Sequence, residues 1–322
     1  MTIEILEPGL GASIQDLGRP GYYGVGIPPS GSADQYSALA ANLLVGNDSA
    51  AAIIESPYMG PKIRFNIDTV VAVTGATMPV KLNDEPRPQW ESFSVKAGDV
   101  LSFGFLQDGA RVYVAIAGGI DVPVILGSRS LYAIGALGGF HGRALQAGDL
   151  LPIGTADAGT AGKVVPQDLR PSHPRMINLR IVLGLYDYRL TPAGLSTFLE
   201  TEWKMTPVAD RMGCRYSGPA LEWIQRVQPF GAGSDPSNIV DAGYPLGSVQ
   251  VPGGVEPIIL HRDAVSGGGY AMVGTIVSAD LDVVAQSSPG TVAKFIPVDL
   301  EEALACRKVA NEQREALIEA LR

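Results

Sequence analysis

Apolar residues in this chain fall in short runs, broken roughly every ten positions by glycine or proline. Runs such as Val70–Thr74, Arg111–Ile116 and Val249–Val251 are β-branched and too short for helices, so they read as strands. The 39 glycines and 24 prolines are spread evenly, and turns therefore recur along the whole length. The pattern predicts a mainly β chain built from barrels. Helical spacing is confined to a few places. Between Ala33 and Val45, Leu39, Leu43 and Leu44 share one face, and Gly46-Asn47 supplies a stop. Gly194–Glu202 is a second short helix. The clearest closes the chain: Asp299 is a good N-cap with Glu302 three residues on, and Leu300, Ala303 and Leu304, then Leu317, Ile318 and Leu321, form apolar faces. This predicts a solvent-facing terminal helix with one buried stripe.

At 322 residues the chain is long for one compact core, and about 150 residues per domain gives two. The segment Thr155–Pro174, rich in Ala, Gly, Pro and Asp, is the best linker. It divides the chain into domains 1–165 and 166–322, the second carrying the terminal helix. A short echo crosses the first domain: KAGDVLSFG at 96–104 and QAGDLLPIG at 146–154 share an Ala-Gly-Asp turn leading into a strand.

Composition narrows the function classes. The chain is 46% hydrophobic and 18% charged, and no stretch approaches the roughly 20 uncharged apolar residues of a membrane span. The start, MTIEILEPGLG, lacks a basic n-region and an apolar h-region, which predicts a cytoplasmic protein. A net charge of −9 without any Lys/Arg cluster argues against nucleic acid as a partner. Cys214 and Cys306 are too few and too distant for a disulfide framework, and His141, His173 and His261 are too scattered for a local ligand set, so no metal site is predicted. Gly162-Lys163 fails as a phosphate cradle because Asp157 and Val164 stand where a P-loop needs Gly and Ser or Thr. Lys204 follows Trp203 and lacks the methionine expected before a biotinylated lysine, so any biotin is carried by another chain.

Four segments present polar groups from loops shaped by Gly and Pro. The first runs from Gln15 through Asp16, Arg19 and Pro28–Asp34 into the helix bearing Asn42. Asp34 also fits a plain role as a first-turn carboxylate on the helix dipole. The second, Ala209–Arg215, holds Arg211 as a fork suited to a planar carboxylate or carbonyl. The third sets the neutral amide of Gln250 on a strand end. In the fourth, Asp263 is followed by Gly267, Gly268, Gly269 and Tyr270, where successive glycines expose backbone N–H groups able to form an oxyanion hole.

The segments ASIQDLGRPGYYGVGIPPSGSAD, ANLLVGN, VAVTGA, AIAGGID, DRMGCR, VQVPGG and GGGY resemble, in order and spacing, the biotin-dependent carboxyltransferase family, whose members are also called KipA-like, allophanate hydrolase subunit 2-like or the C subunit of 5-oxoprolinase. The likeness runs from about Gly9 to the terminal helix. It implies two cyclophilin-like β-barrel domains with a few short helices. It also implies a hetero-oligomer with a KipI-like partner, the B subunit of 5-oxoprolinase, joined by the A subunit of that enzyme or by a biotin carboxylase. The activity implied is ATP-dependent opening of 5-oxoproline to glutamate. Alternatives are carboxyl transfer from carboxybiotin to urea or a urea-like amide, and a KipA-like regulatory binding role without catalysis. The cofactor would be biotin carried on another chain, or ATP at the level of the complex. On this resemblance Arg211, Asp34 and Asp263 are the catalytic candidates. Arg19, Asn42, Gln250, Gly267, Gly268, Gly269 and Tyr270 would bind a small amide or lactam.

The chain departs from the family where that site is expected. Val265-Ser266-Gly267 through Gly269-Tyr270-Ala271 replaces Thr-Thr-Gly-Gly-Tyr-Pro, His261 and Arg262 precede Asp263 where uncharged side chains are usual, and Leu-Pro-Gly-Pro is reduced to Leu183-Gly184-Leu185.

Overall fold

A computed structural model describes residues 1–155 and 161–322. Residues 156–160 of the Thr155–Pro174 segment, Asp157 among them, lie outside the described residues. The chain forms two compact units, one comprising Met1–Arg19, Ser30–His173 and Glu312–Arg322, the other Pro20–Pro29 and Pro174–Asn311. As predicted, the fold is mainly β with a few short helices and a long C-terminal one. None of the described helices is long and apolar enough to cross a membrane.

The first unit contains a six-stranded sheet ordered Leu150–Pro152, Thr2–Glu7, Lys62–Phe65, Val100–Phe103, Val80–Leu82 and Glu85–Arg87. Its five-stranded sheet is ordered Ser13–Gln15, Ile53–Pro57, Asp108–Ile116, Thr69–Thr77 and Ser92–Val95. Ile5, Ile63 and Leu101 from the first sheet share a core with Ile14, Ile54, Val73, Val112 and Val114 from the second. Because side chains alternate along a strand, Thr69–Thr77 serves two cores: Val71 and Val73 face that one, and Val70 and Ala72 face another. Helix α1, Gln35–Leu44, contributes Ala38, Ala41 and Leu44 to this second core. Gly46 ends the helix at φ +76°, its N–H bonded to the Leu43 carbonyl.

The Ala-Gly-Asp echo is one turn built twice. Gly98 and Gly148 both have positive φ, Asp99 Oδ2 accepts from Lys96 N–H, and Asp149 Oδ2 accepts from Gln146 N–H, each at 2.8 Å. The two glycine N–H groups bond the carbonyls of Phe65 and Ile5, each at 2.7 Å. Residues 161–173 are fastened to this unit and do not act as a solvated tether: Val165 is fully buried and donates to the Trp90 carbonyl.

The second unit is a closed seven-stranded barrel ordered Met176–Leu183, Met272–Ile276, Ser248–Gln250, Ile258–Leu260, Gly213–Ser217, Trp203–Ala209 and Val292–Pro297. A parallel pairing of Met176–Leu183 with Val292–Pro297 closes it. Trp203, Tyr216 and Phe295 fill the interior with Phe198 of helix α2, Pro192–Glu200, and Phe198 stacks on Phe295 at 4.6 Å. Helix α3, Leu281–Gln286, covers one side with Leu281 and Val284. Helix α4, Leu300–Ala320, starts with a reciprocal capping box: Glu302 N–H donates to Asp299, and Asp299 N–H to Glu302. Its buried stripe is shorter than the apolar spacing suggests. Leu317 and Leu321 are buried, whereas Leu300 and Leu304 are exposed.

The Lys96 N–H holds the Asp99 carboxyl below the usual range, and the Arg143 guanidinium does the same for Asp149. A carboxyl depressed in the folded state adds stability that is complete above about pH 4 and lost as pH falls through the folded value. Thermal melts should therefore show Asp99→Asn lowering the midpoint by about 2–4 °C at pH 7, with the gap to wild type closing below about pH 4. A gap that persists unchanged at pH 2.5 would remove the carboxylate as its cause.

Candidate functional site

In the first unit, the outer face of the five-stranded sheet is apolar under helix α1 and polar beyond its N-terminus. Ser13, Gln15, Glu55, Arg111, Tyr113 and Thr74 are all buried there. Register places Tyr113 opposite both Glu55 and Thr74. Above them the loop Ser30–Asp34 is strapped down: Ala33 N–H donates to Glu55 Oε2 at 2.7 Å and Asp34 N–H to Tyr113 Oη at 2.8 Å. Glu55 also faces the Arg111 guanidinium at 3.9 Å. Burial, first, and the Glu55 and Asp34 carboxylates, second, push the Tyr113 hydroxyl well above its ordinary value, so it remains a neutral phenol at any working pH.

Asp34 is the N-cap of α1, and its carboxylate accepts from both the N–H and the hydroxyl of Ser37. Asn42 donates to the Ala51 carbonyl and accepts from Asn47, which in turn binds Ile116 and Gly118. Arg19 is buried and donates to the Ser130 carbonyl. Its neighbour Asp16 gathers the loop ends. Asp16 accepts from Gly18 N–H at 2.7 Å, Ser128 Oγ at 2.6 Å, Arg129 N–H at 2.6 Å and Ser130 Oγ, and its carbonyl accepts from Ser32 N–H at 2.8 Å.

In the second unit, Arg211 and Asp263 meet each other. The guanidinium grips the carboxylate through two parallel bonds, Nε to Oδ2 at 2.7 Å and an Nη to Oδ1 at 3.1 Å. Asp263 N–H also donates to the Arg211 carbonyl. Of the charged neighbours, His261 is buried with Nε2 at 3.2 Å from the Leu281 carbonyl, and Arg262 lies near enough to Tyr23 to oppose the rise that burial imposes on its phenol. Gln250 pairs with Ile258 and with Met272, two residues beyond Tyr270. Gln250 and Tyr270 therefore share one end of the short strand Ile258–Leu260, and the Arg211–Asp263 pair sits past the other. Gly267–Tyr270 form a strand paired with Asn238–Gly243, where a run of exposed turn N–H groups is the expectation from sequence. The physical reason is steric as well as hydrogen-bonded: a Cβ at Gly267 would lie 2.9 Å from the Ala242 carbonyl oxygen, and one at Gly268 3.0 Å from the Tyr244 ring.

Glu55, Arg111, Tyr113, Ser128, Ser130 and Tyr244 escape sequence reasoning. Glu55 within IIESP and Arg111 alternating with Val112 were the available signals, since a charge inside an apolar strand needs a buried partner. Ser128 and Ser130 give no such signal. Among the described residues no cluster of three or more His, Cys, Asp or Glu is arranged to hold a metal.

Residues 25–297 match the carboxyltransferase domain, subdomains A and B. The chain belongs to that family. It is 35% identical to urea amidolyase of Lachancea kluyveri over 99% of its own length and 18% of that protein. It is 32% identical to the C subunit of 5-oxoprolinase from Escherichia coli strain K12, over 97% of this chain and 96% of that one. The crystal structure of Kluyveromyces lactis urea carboxylase superposes with a TM-score of 0.91 at 35% identity, covering 98% of this chain and 29% of that one. The chain thus spans about a fifth of the length of the urea amidolyases it matches. These relatives are subunits or domains of amidohydrolase and carboxylase enzymes.

The Arg211–Asp263 fork and the serine hydroxyls predict opposite stability effects. Asp263→Ala removes the two-bond, charge-assisted fork from a part-buried guanidinium and should cost about 3 kcal/mol in urea denaturation. Ser32 is buried and its Oγ has no partner among the described residues, so Ser32→Ala should fall within about 0.5 kcal/mol of wild type or be more stable. A large loss for Ser32→Ala would show that its hydroxyl is paired in solution.

Proposed function

We propose that this chain is the carboxyltransferase-like component of an amidohydrolase of several subunits, the C subunit of a 5-oxoprolinase, opening 5-oxoproline with a KipI-like B subunit and an A subunit. The observation that carries the reading is the family match over residues 25–297, with relatives named for two compounds, urea and 5-oxoproline, that share a planar N–C(=O) group. Carboxyl transfer to urea is the second reading. It is favoured by the 0.91 TM-score and 35% identity to K. lactis urea carboxylase.

On either reading the chain's own residues bind and orient an uncharged amide. Gln250 offers both a donor and an acceptor, and Tyr270, at the same end of the barrel, adds a half-exposed phenol. The ureido ring of biotin is also neutral, with one carbonyl and two N–H groups, so this donor set fits it too. Carboxybiotin, when bound, supplies an activated carboxyl group. Arg211 already neutralises Asp263, which suits it to holding the loop Arg211–Gly213 and the turn after Leu260 in register. Asp34 acts from the N-cap of α1, where it fixes the backbone entering the helix. ATP enters at the level of the complex.

Co-expression with the KipI-like B subunit, together with the A subunit, followed by assay of ATP-dependent glutamate release, tests the first reading. Glutamate release should require this chain and fall on Arg211→Ala and Asp34→Ala. Gln250→Ala should lower kcat/KM roughly tenfold, about one hydrogen bond's worth. An assembled complex inert towards 5-oxoproline but able to carboxylate urea from carboxybiotin would replace the first reading with the second.

A further inference from the structure

Tyr244 was not among the residues that the sequence singled out. It is 2% exposed, and its hydroxyl makes both of its hydrogen bonds to one residue. Oη accepts the N–H of Tyr270 at 2.7 Å and donates to the carbonyl of Tyr270 at 2.6 Å. A side chain that satisfies both backbone groups of a single residue fixes that residue's position and leaves its own ring no freedom.

The place so fixed is a junction. Gly267–Tyr270 pair with Asn238–Gly243 outside the barrel, and two residues later Met272–Ile276 run inside it. Ala271 N–H donates to the Ser237 carbonyl, and its own carbonyl accepts from Val251 N–H at 3.3 Å. At such a change of pairing the backbone of Tyr270 would have no ladder partner for both groups, and Tyr244 supplies it. The glycines then have a steric purpose. The Tyr244 ring lies where a side chain at Gly268 would stand, a Cβ there coming 3.0 Å from Cε2. Burial pushes the Tyr244 phenol up to about 12, so it keeps its proton and remains both donor and acceptor through the physiological range. The Tyr270 side chain, by contrast, is 41% exposed. One tyrosine, inside the fold, holds the peptide of another that is exposed, two residues before the Met272 that pairs with Gln250.

We propose that Tyr244 is a positioning residue, clamping the Tyr270 backbone so that the Tyr270 phenol stands in register with Gln250 against the amide substrate. This rests on the reading above, in which Tyr270 and Gln250 contact that substrate. Tyr244 touches no reacting atom, and its effect passes through Tyr270.

The test is a double-mutant cycle in the reconstituted complex, using whichever of 5-oxoproline and urea the wild type turns over. Tyr244→Phe and Tyr270→Phe should each raise KM by about tenfold with kcat within about twofold, and the double variant should be no worse than the weaker single one, because both remove the same contact. Gly268→Ala, which crowds the Tyr244 ring and spares both hydroxyls, should raise KM in the same way and keeps the test alive if Tyr244→Phe folds poorly. Effects that multiply in the double variant, or a Tyr244→Phe that lowers the thermal midpoint and kcat with KM unchanged, would overturn the clamp and leave a merely structural tyrosine. A wild-type complex inert towards both substrates would overturn the functional reading itself, and with it this role.

Discussion

The Asp16 carboxylate is the interaction on which the polar end of the first unit depends. It accepts four hydrogen bonds, from Gly18, Ser128, Arg129 and Ser130, and so ties residues 16–18 to residues 128–130. Its own carbonyl ties in Ser32. The carboxylate thus joins two segments far apart in sequence, and the backbone of the same residue holds Ser32 as well. The constraint propagates: a Cβ at Gly31 would fall 2.8 Å from the Gly18 nitrogen, and one at Gly138 2.1 Å from the Ser130 oxygen. Both glycines have positive φ, and both permit a backbone approach that the carboxylate demands.

Buried charge is handled differently in the two units. In the first, Glu55 and Arg111 lie in a layer with Asp34 and Tyr113, all 3% exposed or less. The carboxylate there spends one oxygen on a backbone N–H and turns the other toward the guanidinium. Removing charges from water is costly, and such layers persist only when most lone pairs are answered. In the second unit, Arg211 and Asp263 answer each other directly through a two-bond fork, with the arginine partly in solvent. The first arrangement fixes a loop above a sheet, and the second fixes two turns beside each other.

Much of the fold was legible because local rules and tertiary packing agree. The Asp299/Glu302 capping box, the Gly46 stop and the β-branched runs 70–74 and 111–116 all fold as their chemistry dictates. The Ala-Gly-Asp echo, short as it is, marks a turn repeated down to its hydrogen bonds with Phe65 and Ile5. The candidate site was less legible. Asp34 and Arg19 could be found as polar residues in Gly/Pro loops, and Asn42 on the helix that follows, but the sequence cannot say that each is already bonded to its own backbone surroundings. Glu55 and Arg111 lie 56 positions apart in sequence, and only the strand register brings them together.

The glycine triplet shows why such sites resist reading from sequence. Three successive glycines suggest a flexible loop with free N–H groups, since that is what glycine most often permits. The same absence of Cβ also permits a strand to accept an aromatic ring against its face, and the two uses look identical in sequence. What separates them is Tyr244, twenty-three residues upstream of Gly267, whose ring lies against the face where a side chain at Gly268 would stand. Departures of this segment from the family pattern can then be weighed as packing changes. With Tyr244 holding Tyr270 from behind, a proline after the tyrosine is not needed to stiffen that turn. Ala271 retains the N–H that a proline would lack, and it uses that N–H to bind Ser237.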